Sequence, residues 1–159
     1  MISARARFAI HGLSYLAGQE GDEPTSFTAL FAYLQGWSGR LVLSRSYVSK
    51  IFQDLSRGGL VKAIPGRNGG YRLARRAAAV TMLDVVRLLD GVPSNECCLL
   101  ADGRCALQGR CGVVSAIEEA QEAFFAVLGR QTLASSARRI PIPGPLPRIR
   151  SPRAKRPAR

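Results

Sequence analysis

Between residues 44 and 73 the apolar pattern changes period, and no other feature narrows the fold so far. Val48, Ile51, Phe52 and Leu55 recur at i, i+3, i+4 and i+7, which marks the buried stripe of a helix. Ser44 stands where an N-cap belongs. Gly58 and Gly59 end this helix, and two short runs follow, residues 60–64 (LVKAI) and 71–73 (YRL). Residues 65–70 (PGRNGG) lie between them, and their Asn68-Gly69 step can take positive φ. The segment therefore reads as a β-hairpin with a cationic tip.

Upstream, Phe8, Ala9, Ile10, Leu13, Leu16 and Ala17 give a first helix one apolar face, with Arg7, His11 and Ser14 on another. A polar break at residues 18–24 separates it from a second helical stretch over about residues 25–34, ended by Gly36 and Gly39. Helix, turn, helix and then a basic hairpin describe a winged helix-turn-helix, a mainly α domain with a small β-hairpin wing. On the third helix Ser46, Ser49, Lys50 and Gln53 share the stripe opposite the apolar one, flanked by Arg45 and Tyr47. Short polar side chains and a cation facing outward are what base edges and phosphates require. The expectation is that this helix meets a major groove of double-stranded DNA, while Arg67 enters the neighbouring minor groove with Asn68 and Arg72 beside it on the wing.

Charge sorts the same way. The formal net charge is +12. Residues 40–87 carry ten basic and two acidic side chains, a net of +8, whereas residues 1–39 carry −1 and residues 88–137 carry −3. Residues 138–159 hold eight basic groups and no acidic ones, interleaved with six prolines, a composition that opposes helix and sheet and reads as a disordered arm with affinity for polyanions. Only the first basic block is patterned for recognition.

The length of 159 residues suits one compact domain with appendages. No run approaches the roughly 18 apolar residues that a membrane-spanning helix needs, and the N-terminus lacks a secretory pattern, so the expectation is a cytoplasmic protein with no membrane partner. Cys97, Cys98, Cys105 and Cys111 all fall within fifteen residues. In a reducing compartment such a group reads as ligands or redox thiols rather than disulfides. Beyond it, Val113, Ala116, Ile117, Ala120, Phe124, Val127 and Leu128 repeat at helical spacing, and a helix so apolar has little of its own chain to pack against. The resulting division is a DNA-binding domain over 1–91, a cysteine loop over 92–111, a dimerisation helix over 112–137 and the basic tail over 138–159.

Residues 3–17 (SARARFAIHGLSYLA), 44–55 (SRSYVSKIFQDL), 59–75 (GLVKAIPGRNGGYRLAR), 81–91 (TMLDVVRLLDG) and the cysteine segment with AIEEAQEAFFAVL after it resemble the IscR, NsrR and RirA family of winged-helix regulators, and the NsrR and RirA branches most. The resemblance covers about residues 3–134. It implies a homodimeric transcription factor, most often a repressor, whose iron–sulfur cluster (2Fe–2S or 4Fe–4S) senses nitric oxide, iron or redox state and modulates binding to a palindromic operator. It also assigns the last apolar helix to the dimer interface.

The cysteines carry that implication on their own chemistry, since iron–sulfur clusters are held chiefly by thiolates. Cys97 and Cys105 are separated by seven residues and Cys105 and Cys111 by five. Cys98 is the odd one, because adjacent side chains on an extended segment point apart, and it falls where the family has an apolar residue. The fourth ligand stays open. Where some relatives have a histidine this chain has Val114, where others have an acid it has Arg7, and His11, the lone histidine, matches the position used by one relative. A zinc site on three cysteines and one histidine is the alternative, which makes the chain a zinc-stabilised or metal-free winged-helix protein without cluster sensing.

Enzymatic activity finds no support. Glu118, Glu119 and Glu122 share one helix without a catalytic basic partner, and the glycines at 66, 69 and 70 join two strands rather than a strand and a helix. A nonspecific architectural role would use both basic blocks but leaves the cysteines without a purpose.

Overall fold

Each helix of the N-terminal half begins at a hydroxyl that satisfies its first free amides. In the computed structural model, which describes residues 2–19, 23–38, 42–91 and 110–137, Ser3 caps α1 (Ala4–Ala17), Ser26 caps α2 (Phe27–Trp37) and Ser44 caps α3 (Arg45–Arg57). Two antiparallel strands follow, β1 (Val61–Ile64) and β2 (Gly70–Leu73), paired in the register Val61 to Leu73 and Ile64 to Gly70. A short 3-10 turn (Ala77–Ala79) leads into α4 (Met82–Asp90), which opens on a reciprocal capping box between Thr81 and Asp84. The chain continues as α5 (Val114–Arg130) and α6 (Leu133–Ala137). This is the expected winged helix-turn-helix, mainly helical with a two-stranded wing.

The apolar stripes meet in one core. Leu13 of α1, Leu30 and Leu34 of α2, and Val48, Ile51, Phe52 and Leu55 of α3 are all essentially excluded from solvent, and Val61, Val85 and Leu133 close it from the wing, α4 and α6. The stripe read from the sequence of α3 is the buried one.

Four boundaries depart from expectation. The second helix starts at Phe27 rather than near residue 25, because Thr25 forms an antiparallel bridge with Tyr71, exchanging two backbone hydrogen bonds of 2.9 and 2.8 Å. It also runs on past Leu34 through Gly36 to Trp37, whose ring packs against α1. At the wing tip the left-handed glycine is Gly66 (φ +107°) and not Gly69, and a turn closed by Gly69 N–H donating to the Gly66 carbonyl (3.0 Å) puts Arg67 and Asn68 at its corners. The stretch 112–137 is two helices rather than one. It breaks where Thr132 bridges to Thr81, with Met82 N–H donating to the Gln131 carbonyl and Leu133 N–H to the Val80 carbonyl (2.9 Å each). The expected cysteine loop, apart from Arg110 and Cys111, and the tail lie outside the described residues.

Candidate nucleic-acid interface

Burial of Val48, Ile51, Phe52 and Leu55 dictates which side of α3 remains for a partner. At 100° per residue Ser46, Ser49, Lys50 and Gln53 fall opposite them, and Ser46, Lys50 and Gln53 are exposed while Ser49 is half-buried. Few contacts hold these side chains: Ser46 shares a hydrogen bond with the Ser44 cap, and Gln53 Nε2 reaches Ser49 Oγ at 3.5 Å. Arg57 completes the same stripe one turn beyond Gln53. The sequence reading passed over it, although the i+4 spacing marks it.

The stripe is oriented by charge as well as by packing. Asp54, on the flank of α3, accepts from Arg5 of α1 and from Arg57 (3.1 Å). Its side chain is largely shielded, so the Arg5 pair pins α3 to α1 more firmly than a solvent-exposed pair would.

The two flanking residues are less free than a sequence suggests. The Arg45 guanidinium lies over the rings of Phe27 (4.9 Å) and Phe31 (5.2 Å) and donates to Thr28 Oγ1 at 3.4 Å. This cation–π seat fixes the group across the first turn of α2 and leaves its outer edge available. Tyr47 meets Phe8 of α1 edge to face at 6.3 Å. Both remain on the exposed side of the helix-turn-helix.

On the wing, Arg67 and Asn68 are exposed at the tip. Arg72 is placed differently. It sits in β2 opposite Lys62, half-buried, and its Nε is shielded from solvent with no hydrogen-bond partner. Arg75 and Arg76, just past β2, are exposed.

The α1 face expected to be polar is in part closed. Ser14 is 2 % exposed, and His11 is half-buried, stacked on Trp37 with centroids 4.4 Å apart and planes at 22°. Tyr33 and Tyr15 continue the aromatic column at 4.2 Å. Burial, and then the Arg7 charge, hold the His11 imidazole below its ordinary pKa of 6.5.

Of the candidate metal ligands, Cys97, Cys98 and Cys105 lie outside the described residues. Cys111 is half-buried just ahead of α5, where its carbonyl accepts from Val114 N–H at 3.3 Å. Among the described residues no three His, Cys, Asp or Glu side chains converge on a point that could hold a metal. Nor is any described helix long and apolar enough to cross a membrane.

Residues 2–139 match the Rrf2 family, described as an iron-dependent transcriptional regulator. The HTH-type transcriptional regulator NsrR of Geobacillus kaustophilus is 34% identical over 128 residues, covering 80% of this chain and 82% of that protein. Protein aau3 of Rhizobium meliloti is 40% identical over 92 residues; the match spans 57% of this chain and 60% of that protein. Among solved structures, CymR, the global cysteine regulator of B. subtilis, superposes with a TM-score of 0.63 at 28% identity, covering 89% of this chain and 98% of its own. IscR of T. potens gives 0.65 at 24%, covering 87% of each, a likeness of fold.

Proposed function

The chain belongs to the Rrf2 family of DNA-binding transcriptional regulators, and from that premise we propose that it is a homodimeric, cytoplasmic repressor of a palindromic operator, controlled by an iron–sulfur cluster on Cys97, Cys105 and Cys111. The observation that carries the DNA half is the outward stripe of α3, with Ser46, Lys50 and Gln53 exposed and little engaged, beside a wing tip that offers Arg67 and Asn68. Lys50 and Gln53 read base edges in the major groove; Arg45, Ser46, Tyr47 and Ser49 position the helix; and Arg67 takes the minor groove with Asn68 beside it.

Dimerisation is proposed on α5. In this helix Gln121 alone is fully buried, whereas Phe124 and Val127 are 43% and 46% exposed and Val113, just before it, 52%. An apolar stripe left open along a five-turn helix suits a self-complementary interface that sets two recognition helices one DNA turn apart.

The donor chemistry of the cysteine segment fits an iron–sulfur cluster, since three soft thiolates within fifteen residues of sequence are what such a group takes. When bound, it supplies iron atoms that nitric oxide, iron scarcity or oxidants can alter. This chain's own residues would pass the change on through packing. Cys111 lies just ahead of α5, Gly129 of α5 lies against Leu83 of α4, and Leu88 of α4 covers Gly58 at the end of α3. A shift of α5 is thereby linked to the tilt of the reading helix.

Anaerobic purification with an absorbance spectrum and assays of iron, sulfide and zinc tests the sensing half. A brown protein bleached by nitric oxide, with loss of footprinted operator binding, is expected. Colourless protein with stoichiometric zinc overturns cluster sensing and selects the zinc-stabilised reading, while metal-free protein selects a winged-helix regulator without cluster sensing.

A further inference from the structure

A second concentration of positive charge lies away from the reading helix. The C-terminal turn of α1, Gln19, Glu23 and Thr25 beyond it, and strand β2 of the wing line a cleft of about 310 Å³. Leu16 and Leu73 give it apolar wall, while Arg72, Arg75 and Arg76 line it together with a single described carboxylate, Glu23. The ion pairs formed among the described residues join Arg5, Arg57 and Asp54, so Glu23 balances none of these three arginines. Arg75 leans toward the turn after α3, near Gly59. Arg72 is the telling member, because its Nε is shielded from water and has no hydrogen-bond partner.

A guanidinium that gives up hydration on one edge without gaining an acceptor destabilises the fold. Such a donor is retained at little cost if an acceptor arrives from outside. Planar guanidinium groups take carboxylate or phosphate oxygens in pairs, and the volume is that of a small-molecule site. The apolar wall favours an anion with a short hydrocarbon body.

We propose that this cleft binds a small organic anion through Arg72 and Arg76, with its aliphatic part against Leu16 and Leu73. The position gives the ligand leverage on the wing. β2 forms one wall, and Tyr71 ties it to Thr25 by two backbone hydrogen bonds, so an anion bridging β2 and the α1 end fastens the hairpin to the helical core. None of the residues lining the site belongs to α3.

Calorimetry and thermal denaturation of the full chain with succinate, citrate and inorganic phosphate, at matched ionic strength and without DNA, test this independently of any operator. Succinate or citrate is expected to bind and raise the melting temperature, and inorganic phosphate, which has no hydrocarbon body, to bind more weakly. Arg72→Gln and Arg76→Ala should each weaken binding about tenfold or more, whereas Arg67→Ala at the wing tip should bind like the unsubstituted chain. Arg76 is exposed, so its variant decides the matter if Arg72→Gln does not fold. The proposal is overturned if neither organic anion binds beyond the ionic-strength control, if phosphate binds as tightly as they do, or if binding survives both substitutions. It is equally overturned if Arg76→Ala weakens operator binding while leaving anion binding unchanged.

Discussion

Arg45 and Arg67 belong to the same basic segment, and both are exposed, yet their surroundings separate their roles. Arg45 is seated on two phenylalanine rings, so truncating it removes packing as well as charge. Among the described residues nothing restrains the exposed Arg67. Arg67→Ala is therefore expected to leave the melting temperature unchanged, weaken operator binding, and lower the slope of log affinity against log salt by about one, as a salt titration of operator affinity would show. His11 makes the opposite case, a polar residue drawn inward. Its folded pKa lies below 6.5 because burial and then Arg7 disfavour the charged form. The unfolded chain therefore takes the proton first. The neutral-form advantage is complete above pH 6.5, and it is lost as pH falls from 6.5 toward the folded value. His11→Phe keeps a ring against Trp37 without a titrating group. In cluster-free protein, melting temperatures between about pH 5 and 8 should fall less steeply on the acid side for this variant.

At the scale of elements, the wing is held by more than its own hairpin. Two four-residue strands form a marginal unit, and the bridge from Thr25 to Tyr71 adds a third edge. It can form only because Gly70 has no side chain, since a Cβ there would overlap the Thr25 carbonyl. Gly70→Ala is thus expected to cost on the order of 1–3 kcal/mol in denaturant unfolding and to weaken operator binding, with the helical circular dichroism retained. The same bridge explains the start of α2. A residue whose amide and carbonyl are committed to a strand cannot also open a helix, and Ser26 becomes the cap instead.

For the whole molecule, the apolar side of α5 decides whether one reading head or two acts on DNA. Phe124 and Val127 are the large apolar side chains of α5 left exposed in the single chain, and burying a pair of such groups in each subunit contributes about 1.5–3 kcal/mol per side chain. Val127→Glu, alone or with Phe124→Glu, should shift the protein to monomer by light scattering while keeping its fold. Affinity for a full palindrome should then drop toward that for a single half-site. A variant that remains dimeric places the interface elsewhere.

The sequence by itself determined what neighbouring residues can settle. The Ser44 cap, the buried stripe of α3, the outward Ser46, Lys50 and Gln53, and the pairing of residues 60–64 with 71–73 all follow from periodicity and capping within a few turns of chain. Arg57 is legible by the same spacing, four residues beyond Gln53. Tertiary structure alone decided the rest. Thr25 becomes a strand partner, α2 continues to Trp37 where the ring stacks on His11, Ser14 is buried, and the helix after Cys111 breaks at residues 131–132 so that Leu133 can enter the core. Each of these depends on backbone pairing or packing between segments distant in sequence. Chain closure, and not local propensity, sets the balance there.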